Sequence, residues 1–212
     1  MSLAGLAGSH RVGKTTLARR YAEKTGALFV ETPVSAVFTE FGADPQDTMT
    51  FERRMDIQER VMERLETLYR AGALNEKAIT DRTPLDMAAY TLANCHNGSV
   101  PADQQARLAK YIDKCFDVAN KYFTCVVLVQ PGIEIVEAPG KAAPSMAYME
   151  EMNFLLRGLM SDDRLHIHAY NINRTSMELD RRFDALDFCV KRSMERHAAD
   201  LEAFKAENRQ TN

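Results

Sequence analysis

The chain lacks long apolar runs, a leader pattern, a paired-cysteine motif and any large excess of charge of one sign. Its longest strictly apolar stretch is Cys125 to Val129, far short of the ~20 residues that a membrane-spanning helix needs, so no membrane partner is expected. The N-terminus has neither the basic start and apolar core of a secretory leader nor transit-peptide character. The four cysteines (Cys95, Cys115, Cys125 and Cys189) are scattered without C-x-x-C spacing. They read as reduced structural thiols of a cytoplasmic protein, not as a disulfide framework or zinc site. A formal charge of −3 provides no global attraction to nucleic acid, so such a contact would need a local basic patch. At 45% hydrophobic and 27% charged, the composition excludes disorder for most of the chain.

What is present is an alternation of short apolar runs and longer amphipathic stretches over 212 residues, which predicts one α/β domain with a parallel sheet covered by helices. Strands are predicted at Ser2–Leu6, Ala27–Val30, Ala78–Thr80, Thr124–Val129 and Leu165–Tyr170. The first is short of β-branched residues. A helix is expected from the glycine loop to about Lys24, with Gly26 as its C-cap. A longer one should run from about Thr50 to Ala71 with Phe51, Met55, Met62, Leu65 and Tyr69 on one stripe, ending at Gly72. Asp56 with Arg60 and Glu66 with Arg70 read as salt-bridged pairs on its solvent face. Thr83-Pro84-Leu85-Asp86 carries the signature of a helix start. Thr175 to Glu178 reads as a capping box opening the final helix.

The most informative segment is Gly8-Ser9-His10-Arg11-Val12-Gly13-Lys14-Thr15-Thr16, which fits G-x-x-x-x-G-K-[ST] between a strand and a helix. Gly8 and Gly13 allow the backbone to curl so that successive N–H groups face phosphate oxygens, and the following helix aims its N-terminus at the same anion. Lys14 would lie over the β- and γ-phosphates of ATP, and the Thr15 hydroxyl could ligate Mg²⁺. A GTP switch is disfavoured because Asn120-Lys121 continues as Tyr122-Phe123 without the required acid. A mechanical ATPase would want a strand ending in Asp-Glu, whereas Ala78 to Thr80 leads into Asp81-Arg82. Asp81 at a strand tip can hold Mg²⁺, and Arg82 can brace a transferring phosphoryl group. Glu31, ending the second strand, is a candidate general base for an alcohol acceptor.

Together, Gly8 to Thr16, Glu31-Thr32-Pro33-Val34 and Asp81-Arg82-Thr83-Pro84-Leu85-Asp86 resemble the P-loop nucleoside and nucleotide kinases. Deoxynucleoside kinases have a similar Glu-Pro-Val and acid-Arg-Ser; this chain inserts Thr32 and has Thr83 in place of the serine. The resemblance implies a five-stranded parallel sheet in the order 2-3-1-4-5, an acceptor wall at about 34–73 and a lid at about 133–145. It implies catalytic roles for Lys14, Glu31, Asp81 and Arg82, with Thr15 and Asp81 at the metal. The overall layout looks closest to bacteriophage kinases that phosphorylate 5-hydroxymethyluracil in DNA, which would place the protein in the host cytoplasm. A kinase of free deoxynucleosides or their monophosphates is the alternative, and a non-catalytic nucleotide-binding module is the competing class. A homodimer is left open.

In the acceptor wall, Phe38, Phe41 and Phe51 read first as core and second as stacking platforms, while Arg53 and Arg54 could hold a phosphate. Lys141 is the one cation of the lid loop itself. His166 and His168, sharing a strand face, read as packing and not as a metal site. The basic pairs Arg19-Arg20, Arg53-Arg54, Arg181-Arg182 and Lys191-Arg192 could form a stripe for DNA, although helical charge pairs are usually just solvated.

Overall fold

A computed structural model describes residues 2–45, 47–95, 100–133 and 145–210. Five parallel strands, β1 (Leu3–Ala7), β2 (Leu28–Val30), β3 (Ala78–Thr80), β4 (Cys125–Val129) and β5 (His168–Ile172), form one sheet. Their order is β2-β3-β1-β4-β5, the order expected. Helix α1 (Lys14–Thr25) and the final helix α7 (Leu179–Gln210) cover one face. The other face carries α3 (Phe51–Ala73), α4 (Pro84–Ala93), α5 (Gln105–Tyr122) and α6 (Met146–Met160), and the short α2 (Val34–Glu40) packs on α3.

The two apolar clusters follow from period-two alternation in the central strand. Leu3 and Ala7 point to the α3–α5 side, Ala4 and Leu6 to the α1/α7 side, and all four are buried. Gly5 explains why β1 is so poor in β-branched residues. A Cβ there would lie 2.5 Å from Thr83 Cγ2 and 2.6 Å from Phe123 Cε1, so only a hydrogen fits.

Several local expectations need revision. Helix α3 does not stop at Gly72 but runs through it to Ala73. Gly72 serves close packing, since a Cβ there would lie 2.8 Å from Val30 Cγ2 of β2. The acids of α3 mostly pair across to α5. Asp56 and Glu59 hold Arg107 at 2.7 Å each, and Glu66 holds Lys114 at 2.6 Å. β5 starts later than its apolar pattern suggests, because Leu165 and Ile167 pack on the core before pairing with β4 begins at His168. Thr175 caps nothing: its N–H and hydroxyl both donate to Asn173 Oδ1, and α7 starts only at Leu179. By contrast, Thr83 and Asp86 form the full capping box that opens α4, with Pro84 in its first turn. Gly26, at φ 72°, closes α1. Cys115, Cys125 and Cys189 are buried thiols and Cys95 is half-buried.

Candidate active site

The loop from Gly8 to Gly13 leaves the C-terminal end of β1 and turns into α1. Gly8 has φ 153° and Gly13 φ 87°. Arg11, at φ 64°, is the only non-glycine among the described residues in the left-handed region. Such strained positions cluster where backbone geometry serves a site. The Lys14 side chain is only 6% exposed. Its ammonium donates to the carbonyls of Gly8 and Ser9, the latter at 2.8 Å, and lies 3.9 Å from Asp86 Oδ1.

Asp86 is completely buried and joins two parts of the site. Its Oδ1 accepts the Gly8 N–H at 3.0 Å, while its Oδ2 accepts the Thr83 N–H at 2.8 Å and the Thr83 hydroxyl at 2.7 Å. A buried carboxylate costs desolvation unless its lone pairs are satisfied. Here three donors satisfy them, so the capping residue of α4 is also the anchor of the phosphate loop.

At the tip of β3, Asp81 faces that loop. The Thr15 hydroxyl donates to Asp81 Oδ2 at 2.5 Å and the Thr32 hydroxyl to Oδ1 at 3.0 Å. Thr15 and Asp81, predicted to work together, are therefore in contact. Glu31 is not joined to them by any hydrogen bond among the described residues. The register Val30↔Thr80 places it on the strand tip beside Asp81, but its carboxylate is 70% exposed and accepts from Arg19 of α1 at 3.0 Å.

Arg82 lies with its guanidinium 5.5 Å from the Tyr90 ring centre, and its carbonyl accepts the Tyr69 hydroxyl at 3.1 Å. Burial acts to lower its pKa, but Tyr90 and the carboxylates of Asp86 and Asp81 outweigh that and raise it. Above it, Tyr148 of α6 lies 5.6 Å from the His10 ring and 6.5 Å from that of Tyr90. Burial pushes the Tyr148 phenol up to about 12.

The acceptor-side expectations fare unevenly. Phe38 is 2% exposed and belongs to the core, so it offers no open ring face; Phe51 is partly buried, and Phe41 is exposed. Arg53 donates to the Phe41 carbonyl at 3.0 Å. Arg54 is buried and donates to the Asp47 carbonyl at 2.8 Å. Burial lowers the pKa of Arg54, with Tyr148 and Asp47 acting against that shift. Lys141 and nearly all of the expected lid lie outside the described residues.

Four contributors escaped the sequence reading: Thr32, Tyr90, Tyr148 and Arg182. Arg182 of α7, expected either in a basic stripe for DNA or as a solvated charge, is 2% exposed and donates to the Val12 carbonyl inside the phosphate loop at 2.6 Å. A spacing rule could have flagged only Thr32, next to Glu31; the other three depend on long-range packing.

A surface depression lined by Thr25, Leu28, Asn75 and Lys77 lies at the N-terminal ends of β2 and β3. That is the opposite edge of the sheet from the phosphate loop. Ligands of open parallel sheets bind outside the C-terminal strand ends, which is where Gly8 to Thr16 and Asp81 meet.

Comparison with known proteins agrees with this geometry. No curated protein matches the chain. Among solved structures, a deoxyadenosine kinase from M. mycoides with bound dCTP superimposes with a TM-score of 0.63 at 15% identity, covering 87% of this chain and 96% of the other. The thymidylate kinase of Candida albicans gives 0.56 at 14% identity, over 91% and 92% of the two chains. A NadR protein in complex with NAD and AMP-PNP gives 0.63 at 17% identity, over 90% of this chain but 49% of its own. At such identities the likeness establishes a common fold and nothing further. The family described as AAA domain matches residues 5–179, and the chain belongs to that family.

Proposed function

We propose that the protein is an ATP-dependent phosphotransferase that moves the γ-phosphoryl group of ATP to a hydroxyl of a nucleoside or nucleotide. The observation carrying this reading is the contact between Thr15 of the phosphate loop and Asp81 at the tip of β3. It joins the triphosphate cradle to an acidic strand tip with an arginine next in sequence. The sheet order and the likeness to nucleoside and nucleotide kinases support it.

Each residue has a role set by its chemistry. The backbone amides of Gly8 to Thr16 and the Lys14 ammonium hold the β- and γ-phosphates. Thr15 and Asp81 present hard oxygen donors 2.5 Å apart, a set that suits Mg²⁺, which takes few protein ligands and fills its shell with phosphate and water. When bound, the metal would offset the negative charge of the phosphates. Arg82 stabilises charge on the transferring group. Glu31, released from a surface ion pair of the kind worth about 0–1 kcal/mol, takes the acceptor proton. Arg53 and Arg54 brace the acceptor wall through the carbonyls of Phe41 and Asp47, and Lys141 contributes a cation from the lid.

Free deoxynucleosides and their monophosphates are the first acceptors to test, given that the structural neighbours include a deoxyadenosine kinase and a thymidylate kinase. The 5-hydroxymethyl group of 5-hydroxymethyluracil in DNA is the second arm; with a chain charge of −3 it lacks the electrostatic footprint of DNA binding. The protein is incubated with γ-labelled ATP and Mg²⁺ together with free nucleosides, monophosphates, plain DNA or hydroxymethyluracil-containing DNA. Label on a small-molecule acceptor supports the reading, label only on modified DNA reassigns the acceptor, and no transfer to any acceptor despite ATP binding leaves a non-catalytic nucleotide-binding module.

A further inference from the structure

Arg182 is unusual for a residue on the first turns of a terminal helix. It is 2% exposed, although its neighbour Arg181 is open to solvent. Among the described residues its guanidinium donates only to backbone carbonyls: Nε to Ser176 at 2.6 Å and Nη1 to Val12 at 2.6 Å. Nη2 is buried without a hydrogen-bond partner. No carboxylate among the described residues forms an ion pair with it. Burial lowers its pKa. Buried charges are ordinarily paired, because desolvation is not otherwise recovered.

The surroundings indicate what completes the pairing. Nη1 lies 3.5 Å from where a Gly13 Cβ would be, against the residue directly before Lys14. The arginine therefore underlies the turn whose amides cradle the phosphates, and it ties that turn to the segment between β5 and α7 through Ser176. Carbonyl acceptors supply only partial negative charge. A polyphosphate in the adjoining cradle would supply the full anion that no described residue does.

We infer that Arg182 is a further residue of the nucleotide site: a positioning residue that fixes the Val12–Gly13 turn and whose buried positive charge is balanced by the bound polyphosphate. This rests on the reading of the loop as a nucleoside triphosphate site but not on any acceptor. It acts through the loop backbone and long-range charge, so it governs affinity for the phosphate chain and not the transfer step.

The test compares the full-length chain with Arg182→Met and Arg182→Lys, titrated with a non-hydrolysable ATP analogue and, separately, with inorganic tripolyphosphate. The methionine variant, relieved of a buried charge, should keep its circular dichroism spectrum and bind both ligands about tenfold or more weakly, equivalent to about 1.4 kcal/mol. The lysine variant, which keeps the charge but loses the fork, should fall between. In turnover assays the change should appear in the KM for ATP and not in kcat or the acceptor KM, a split that a general loss of structure would not produce. Binding of both ligands to Arg182→Met as tightly as to the wild type overturns the inference. Weaker binding of the analogue alone overturns the polyphosphate assignment. If Arg182→Met does not fold, Arg182→Lys decides in the same way. Failure of the wild-type chain to bind either ligand would instead overturn the nucleotide reading itself.

Discussion

Thr15 and Thr32 each donate to one oxygen of Asp81, while Glu31, one position before Thr32, turns to Arg19. The two acids thus sit in different surroundings, Asp81 held by two hydroxyls and Glu31 in an exposed ion pair. The function proposed above gives them different work, the metal to Asp81 and the acceptor proton to Glu31. Glu31→Gln should lower kcat by about 10²-fold or more, the lower end of a general base's contribution, with affinity for an ATP analogue unchanged. Initial rates and a binding titration on one preparation check this. Normal turnover in that variant would end the role of Glu31 and pass the proton to Asp81. Asp81→Asn should lower kcat and also weaken the Mg²⁺ dependence of ATP binding, read by titrating the analogue with and without the metal. Much of this constellation is legible in the sequence because it is local: Gly8 to Thr16 and Asp81-Arg82 carry their chemistry in consecutive residues. Arg182 is not legible, because its partner Val12 lies 170 residues away and a helical arginine pair looks the same whether solvated or buried.

At the scale of elements, two glycines set how closely layers meet. Gly5→Ala forces Thr83 and Phe123 apart, and Gly72→Ala pushes α3 off Val30. Overpacking of this kind costs about 1–3 kcal/mol. At position 72 a helix-propensity gain of about 1 kcal/mol offsets part of that. Urea melts should therefore show Gly5→Ala as the more damaging change, and equal midpoints would contradict the packing account. These contacts also explain where element boundaries could be read and where they could not. The Gly26 stop and the Thr83 capping box declare themselves in short-range chemistry. The passage of α3 through Gly72 depends on how near β2 lies, and the late start of β5 depends on where β4 offers partners. Neither is encoded within its own segment.

For the whole molecule, several phenols are buried in one structure. Burial raises the pKa of Tyr21 and Tyr148 to about 12 and that of Tyr69 and Tyr111 well above their ordinary 10. Because the folded values exceed the unfolded ones, this stabilisation is fully present below about pH 10. For Tyr21 and Tyr148 it is lost as pH rises through about 12, and for Tyr69 and Tyr111 as pH rises through their own raised values. Alkaline titration should show these tyrosines ionising together with loss of the fold, so that tyrosinate absorbance and circular dichroism change in one transition. Early, separate ionisation would contradict the burial. Nucleotide binding should act on the same global equilibrium: an ATP analogue at about 100 times its Kd should add about 2.7 kcal/mol, seen as a rise in Tm that Lys14→Ala abolishes.

Phe123 and Thr83 fill the space that a Gly5 side chain would need, Thr83 holds Asp86, and Asp86 holds the amide of Gly8. The middle of the sheet and the mouth of the nucleotide cradle are thus successive links of one mechanical chain. Lesions deep in the interior would therefore loosen the phosphate loop at the same time as they lower the stability of the fold. A genetic screen for lost activity would gather hits at positions 5 and 123, and would mistake structural supports for catalytic groups.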